Sequence, residues 1–239
     1  MKHATRPAIF KWRQTAPELI VCAVRGYLRY LLSLRDVEEL FAERGLEVDH
    51  ATIWRWVQGD GRELKQRLRR HFKPTNKSWR VDETYIRVKA RCCYLYRAID
   101  SAGATIDFLL SALHDVAAAK RLFRKALGDP SHPQYRVIST DKAPLYGAAI
   151  ARVGAEGTLR RRCRHRPVQQ LNNILEQDHR AIKRQVKAKQ NFREFRAAGR
   201  TIAGYEAIHM IRKGQARWVR DNDVRQQNRF IDRLFDLAS

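Results

Sequence analysis

Three acidic residues stand at positions where an acid needs a reason. Asp82 falls in the middle of Ser78 to Val88, a run that reads as a strand from its β-branched and aromatic content. Strand alternation puts Arg80, Asp82, Thr84 and Ile86 on one face and Val81, Glu83, Tyr85 and Arg87 on the other. A carboxylate inside such a strand is costly unless a metal, a cation or a hydrogen-bond donor compensates it. Asp141 follows Tyr135-Arg-Val-Ile-Ser-Thr140, where a strand gives way to a helix. Strand ends are where open α/β sheets bind ligands; the same place also suits an N-cap of the helix beginning near Ala143. Glu176 lies in a helical run from Leu171 to Lys189, on a stripe with Arg180, Lys183 and Lys187, while Leu171, Ile174, Leu175, Ile182 and Val186 form the apolar stripe. By itself Glu176 reads as an i, i+4 surface partner of Arg180. Glu83, facing away from Asp82, and Asp178, on the apolar stripe, read as structural.

Each of the three acids comes from a different element of one mixed sheet, and together they offer hard oxygen donors. Such a set suits Mg²⁺, with Mn²⁺ as a substitute. Two ions about 3.5 to 4 Å apart stabilise the attacking and leaving oxygens of an in-line phosphoryl transfer. One ion then activates water or a 3′-hydroxyl and the other holds the leaving oxygen, with no covalent enzyme intermediate.

The elements that must position these acids are legible from spacing and punctuation. Pro17 to Tyr30 has Leu19, Ile20, Ala23, Val24, Tyr27 and Leu28 at helical intervals. Ser33 with Asp36 resembles a capping box opening a second helix through Val37, Leu40 and Phe41 to Gly45. Asp49 is the N-cap of a third helix, His50 to Gln58, with Ile53, Trp56 and Val57 inward and His50, Thr52 and Arg55 outward. Three short helices with a Gly-containing turn read as a helix-turn-helix whose last helix enters the major groove, or as a plain trihelical bundle that contacts protein. Gly59-Asp60-Gly61 reads as a helix break and the basic stretch to Lys77 as a linker, which gives boundaries at 1–60 and 61–77.

Beyond the linker the pattern is β-rich. Trp79 to Val88, Cys92 to Ile99 and Thr105 to Ala112 predict an antiparallel meander. A helix opened by Asp115 and closed by Gly128 follows, then a strand over Tyr135 to Ser139 and a helix over Ala143 to Val153 with Pro144 in its first turn. A fifth strand over Thr158 to Cys163 and helices over Leu171 to Lys189 and Phe195 to Val219 complete the pattern. The fold class is α/β: a mixed sheet flanked by helices over 78–219, preceded by a small all-α domain. The tail, 220–239, carries Phe230, Ile231, Leu234 and Phe235 as a packing or dimer helix.

The chain has 239 residues and a formal net charge of +23, an excess that repels itself unless a polyanion is near. Nucleic acid is the expected partner; a membrane surface is the other polyanion, but no apolar run approaches the roughly 20 residues that span a bilayer. The first residues lack the apolar core of a signal peptide, so a cytoplasmic protein is expected. Cys22, Cys92, Cys93 and Cys163 show neither a disulfide framework nor paired zinc spacing, and Cys163 with His165 offers only two ligands. Arg160, Arg161, Arg162, Arg164 and Arg166 suit DNA phosphates or a solvated face.

The run Trp79-Arg-Val-Asp-Glu-Thr-Tyr-Ile86, then Ser139-Thr-Asp-Lys-Ala-Pro-Leu-Tyr146, then Leu171-Asn-Asn-Ile-Leu-Glu-Gln-Asp-His-Arg180 resembles the DDE transposases of bacterial insertion sequences, most closely insertion sequence family six. The 34 residues between Asp141 and Glu176, and Lys183 seven positions after the Glu, match that family's spacing. The likeness extends from Phe10-Lys-Trp12 through Arg35-Asp-Val-Glu-Glu-Leu40 and Thr52-Ile-Trp-Arg-Trp-Val57 to Gly204-Tyr-Glu-Ala-Ile-His-Met-Ile211. Gly26 and Gly199, inside expected helices, depart from the bulkier residues expected there, at about 1 kcal/mol each relative to Ala.

The resemblance implies an RNase H-like core behind an N-terminal helix-turn-helix, with Asp82, Asp141 and Glu176 as catalytic ligands of two Mg²⁺ ions and with Lys183 and Arg180 at the DNA end. It implies an enzyme that binds the terminal inverted repeats of its element as double-stranded DNA, cuts the ends and joins them to target DNA. Such an enzyme works as a homodimer or higher oligomer on DNA, with no membrane, in the bacterial cytoplasm and on the nucleoid when bound. The rival readings are a non-catalytic helix-turn-helix regulator and a structure-selective nuclease.

Overall fold

The computed structural model describes residues 7–129, 135–159, 162–168, 173–188 and 192–237, without the side chains of 173 and 174. Packing divides the chain into two units, Met1–Lys73 with Arg184–Ser239, and Pro74–Lys183.

In the Pro74–Lys183 unit, strands β1 (Ser78–Val88), β2 (Arg91–Asp100) and β3 (Thr105–Ser111) form the expected antiparallel meander. Helix α4 (Val116–Leu127) leads to β4 (Val137–Thr140), and α5 (Pro144–Ala155) leads to β5 (Arg164–Pro167). Both later strands run parallel, β4 to β1 and β5 to β4, giving the order β3-β2-β1-β4-β5. This is the mixed sheet flanked by helices that the sequence leads one to expect.

The fifth strand lies later than Thr158 to Cys163. It is Arg164 to Pro167, a polar edge strand set by its register on β4 (Val137 with Arg164, Thr140 with Pro167) rather than by apolar alternation. Edge strands carry little apolar signal, and Pro is tolerated there.

Alternation along β1 divides its residues cleanly. Trp79 and Val81 join Tyr96 and Ala98 of β2 in a core closed by Leu122 and Phe123 of α4 and by Tyr146, Ala149 and Val153 of α5. Asp82, Thr84 and Ile86 face the other way, with Leu95 and Arg97 of β2 as cross-strand partners. Helix α6 (Asn173–Ala188) meets that second face through Arg97, which is fully buried and ion-paired to Asp178 at 2.7 Å.

In the other unit, α1 (Pro17–Arg29), α2 (Leu34–Ala42) and α3 (His50–Leu68) start as expected. The Ser33/Asp36 capping box is formed, the Asp49 side chain accepts from the Thr52 N–H, and Gly45 has φ +70° in the turn between α2 and α3. The break expected at Gly59-Asp60-Gly61 does not occur, because α3 runs through it to Leu68. Gly61 faces Gly204 of the later helix: its Cα lies 3.3 Å from where a Cβ on Gly204 would sit. Asp60 is buried and held by the Arg13 guanidinium at 2.6 and 2.8 Å. The linker expected at 61–77 is therefore largely helix.

Helix α7 (Phe195–Arg212) ends before Gly214, whose φ is +66°, rather than at Val219. It packs with α1 and α3, with Gln58 Nε2 donating to Thr201 Oγ1 at 2.8 Å and Tyr27 stacked on Tyr205. Helix α8 (Val224–Leu234) buries Phe230, Ile231 and Leu234, followed by buried Phe235, so the tail's apolar pattern is packing. Among the described residues no helix is long and apolar enough to cross a membrane.

Candidate active site

Parallel pairing of β1 with β4 brings the first two acids together. Val81 is in register with Thr140, so Asp82 and Asp141 each stand one residue further along neighbouring strands, which run about 4.8 Å apart. Oxygens of Asp82, Glu83 and Asp141 lie within 4.8 Å of one another. Asp141 is not the N-cap of α5, which is Ala143; its Oδ1 accepts the Ala143 N–H at 3.0 Å and so fixes the carboxylate in the strand-to-helix turn.

Glu83 projects to the α4–α5 side, as alternation requires, and is tethered there. His114 Nε2 lies 2.8 Å from its Oε1, and the Tyr146 hydroxyl donates to its Oε2. Burial first, then the Glu83 carboxylate, raise the Tyr146 phenol well above its ordinary value, which keeps it a donor. The proximity of Glu83 to Asp82 and Asp141 is what alternation alone did not reveal; no sequence signal gave the closeness of the three oxygens.

Glu176 is exposed on α6 and stands outside that trio of oxygens. Its charge nevertheless reaches Asp82. Burial, then Glu83, Asp141 and Glu176 in turn, push the Asp82 carboxyl up to about 7. The Glu176–Arg180 surface pair allowed by spacing is not formed among the described residues. Lys183 and Arg180 share the exposed stripe of Glu176, and Asp178 faces inward to Arg97. Beside that ion pair His179 is buried, and burial with the Arg97 charge lowers its imidazole to about 3, so it is neutral.

This donor set fits a hard divalent cation. It is carboxylate-only, and the crowding of negative charge that raises Asp82 is what a bound cation relieves. The Cys163–His165 alternative has no such support: His165 Nε2 is 2.8 Å from Thr140 Oγ1, and no third zinc ligand joins them among the described residues.

The basic residues divide. Arg162, Arg164 and Arg166 are exposed, the last two on the same side of edge strand β5, whereas Arg160 and Arg161 lie outside the described residues. At the start of α3, His50 Nδ1 lies 3.0 Å from Glu38 Oε2 and Thr52 Oγ1 donates to Asp49 at 2.9 Å; Arg55 is exposed and makes no ion pair among the described residues.

A family model described as a DDE domain matches residues 76–215. The transposase for the insertion sequence-like element IS431mec of Staphylococcus aureus is 38% identical over 208 residues, 87% of this chain and 90% of that protein. The transposase for insertion sequence element IS257 in transposon Tn4003, also from Staphylococcus aureus, is 38% identical with the same coverage. Among solved structures, the HTLV-2 integrase catalytic core domain in complex with magnesium superposes with a TM-score of 0.43 at 15% identity, over 61% of this chain and 96% of that one.

Proposed function

The chain belongs to the DDE-domain transposases of insertion sequences, and on that premise we propose that Asp82, Asp141 and Glu176 are the carboxylates that hold its catalytic ions. The observation that carries this reading is the register that sets Asp82 beside Asp141 on adjacent parallel strands, with Glu176 close enough to raise the Asp82 carboxyl. A regulator has no use for a carboxylate cluster of this kind.

Two Mg²⁺ ions, or Mn²⁺ in their place, supply Lewis-acid stabilisation of the attacking and leaving oxygens when bound. The protein supplies placement. Asp82 is fixed by its strand, Asp141 by the Ala143 N–H and Glu176 by the Arg97–Asp178 anchor of its helix. Lys183 and Arg180, on the stripe of Glu176, hold phosphates of the DNA end; Arg162, Arg164 and Arg166 contact backbone without reading sequence. Direct attack of a 3′-hydroxyl on a target phosphodiester conserves the number of such bonds, so the reaction needs no nucleotide cofactor.

We assign the catalytic unit to residues 74–183, which hold all three acids and Lys183, and the helix-turn-helix to the α2–α3 pair. Arg55 reaches base edges of the terminal inverted repeats there, with His50 and Thr52 first released from their local partners. The active species on double-stranded DNA is a homodimer or larger oligomer in the cytoplasm.

The test is strand transfer with the element's own ends, a plasmid target and Mg²⁺. Asp82→Asn, Asp141→Asn and Glu176→Gln each abolish joining while end binding survives. Joining by any of these purified variants refutes the role of that residue, and hydrolysed ends without joined strands identify a nuclease instead.

A further inference from the structure

Two clefts in the unit formed by Met1–Lys73 and Arg184–Ser239 take no part in the phosphoryl transfer above, and of their lining only Arg55 has a part in the duplex contacts. One, of about 790 Å³, is lined among others by Arg70, Arg217, Trp218 and Arg233; the second, of about 590 Å³, by Trp54, Arg55, Arg62 and Arg200. They meet at Glu63 and Gln66, which line both. Together they make one groove along α3, about 24 Å from Trp54 to Arg70 at 1.5 Å per residue.

Its charge is lopsided. Seven arginines line the two clefts against Glu63 and Asp236, and both acids are spent on Arg67, at 2.6 and 2.9 Å. Arg62, Arg70 and Arg200 make no ion pair among the described residues. Guanidinium groups suit phosphate oxygens geometrically and also stack on planar rings.

Each end of the groove also presents an indole to solvent. Trp54 is 43% exposed and Trp218 77%. Trp218 is held there against its own preference, with φ +61° in the left-handed region that a bulky side chain disfavours. The surrounding segment is fastened to keep it so. Gln226 Nε2 donates to the Trp218 carbonyl at 2.8 Å and Gln226 Oε1 accepts the Arg220 N–H at 2.8 Å, while the Arg217 Nε–H donates to the Phe72 carbonyl at 3.0 Å. Residues held in such backbone conformations cluster at ligand clamps and other functional sites.

We propose that this groove binds single-stranded DNA, with unpaired bases stacked on Trp54 and Trp218 and the phosphates between them on the arginines. Indole faces beside a basic track recognise unpaired nucleotides, because every base offers a π-face only once it leaves the duplex. The choice of DNA as the polymer rests on the transposase reading; the presence of a stacking groove does not.

The experiment measures anisotropy of a fluorescein-labelled homothymidine DNA strand, of a homouridine RNA strand and of an unrelated DNA duplex on full-length protein in EDTA. Trp54→Ala and Trp218→Ala each weaken strand binding by about tenfold and leave duplex binding unchanged, and the Phe variants retain most of the affinity. Removing Arg62, Arg70 or Arg200 lowers the slope of log affinity against log salt by about 0.7 each. Unchanged strand binding in both Trp→Ala variants, equal losses for duplex and strand, or binding confined to RNA overturns the proposal. The Phe variants separate lost stacking from lost folding. Asp82→Asn is the cross-check: it loses joining and keeps strand binding. Normal strand binding by the Trp variants therefore refutes the groove alone, and joining by Asp82→Asn refutes the catalytic assignment alone.

Discussion

At the scale of single residues, Asp82 couples the site to pH. Burial, and after it the neighbouring carboxylates, push its carboxyl up to about 7, against 3.8 ordinarily. A raised carboxyl pKa contributes stability that is complete below the unfolded value and is lost as pH climbs from about 4 towards 7. Without divalent metal, Asp82→Asn is therefore expected to melt higher than the parent at pH 8, with the advantage fading at pH 5. Mg²⁺ raises the melting temperature of the parent and not of the variant. A variant that melts lower than the parent at pH 8 in EDTA would show that burial and the neighbouring carboxylates do not oppose the Asp82 charge. The neighbourhood of Asp82 and Asp141 was legible in the chain, since a mid-strand Asp and a strand-end Asp stand out by their placement, whereas Glu176 taken alone read as a surface partner of Arg180. The tethering of Glu83 by Tyr146 and His114 was not, because those partners come from α5 and from the segment after β3, at distances no local pattern encodes.

At the scale of elements, local signals were read well and long-range ones poorly. The caps at Ser33, Asp49 and Asp115 each involve a residue three positions away, and all three form. Gly59-Asp60-Gly61 has the composition of a turn, yet its chemistry is answered elsewhere: Arg13 neutralises Asp60, and Gly204 of α7 closes on the Cα of Gly61. Glycine substitutions separate the two uses. A Cβ on Gly204 would lie 2.7 Å from both Leu28 Cδ atoms, so Gly204→Ala is expected to destabilise the protein by about 1 to 3 kcal/mol through overpacking. Gly26 and Gly199 have nothing within 4 Å of that position, so alanine there stabilises by about 1 kcal/mol. Denaturant melts of the three variants check the ordering, and a neutral Gly204→Ala would contradict the close approach of α7 to Leu28 of α1. The displaced fifth strand has a similar origin: Arg164-His-Arg-Pro167 pairs because β4 offers an edge, not because its own residues favour extension.

At the scale of the whole molecule, the chain leaves one unit after Lys73, builds the other, and returns at Arg184. The helices that the sequence suggests as a self-contained N-terminal domain share their core with α7 and α8: Gln58 bonds Thr201, Arg29 bonds Gln227 at 2.8 Å, and Phe10 packs on Phe235. A fragment of residues 1–73 is accordingly expected to lack cooperative thermal unfolding by circular dichroism, whereas the same segment joined through a short linker to 184–239 regains it. A cooperative melt of the short fragment alone would show that α7 and α8 are dispensable. This discontinuity also sets an order of events at the ribosome. The first three helices emerge early and wait, with Leu28 and Gly61 uncovered, until α7 has been made, on the order of ten seconds later at 5 to 20 residues per second. The carboxylate-bearing sheet, by contrast, has its full sequence in hand before that moment. A nascent chain thus completes its cutting machinery ahead of the helical unit, and a ribosome that stalls in between releases a product with a finished sheet and an orphaned apolar surface for chaperones and proteases to find.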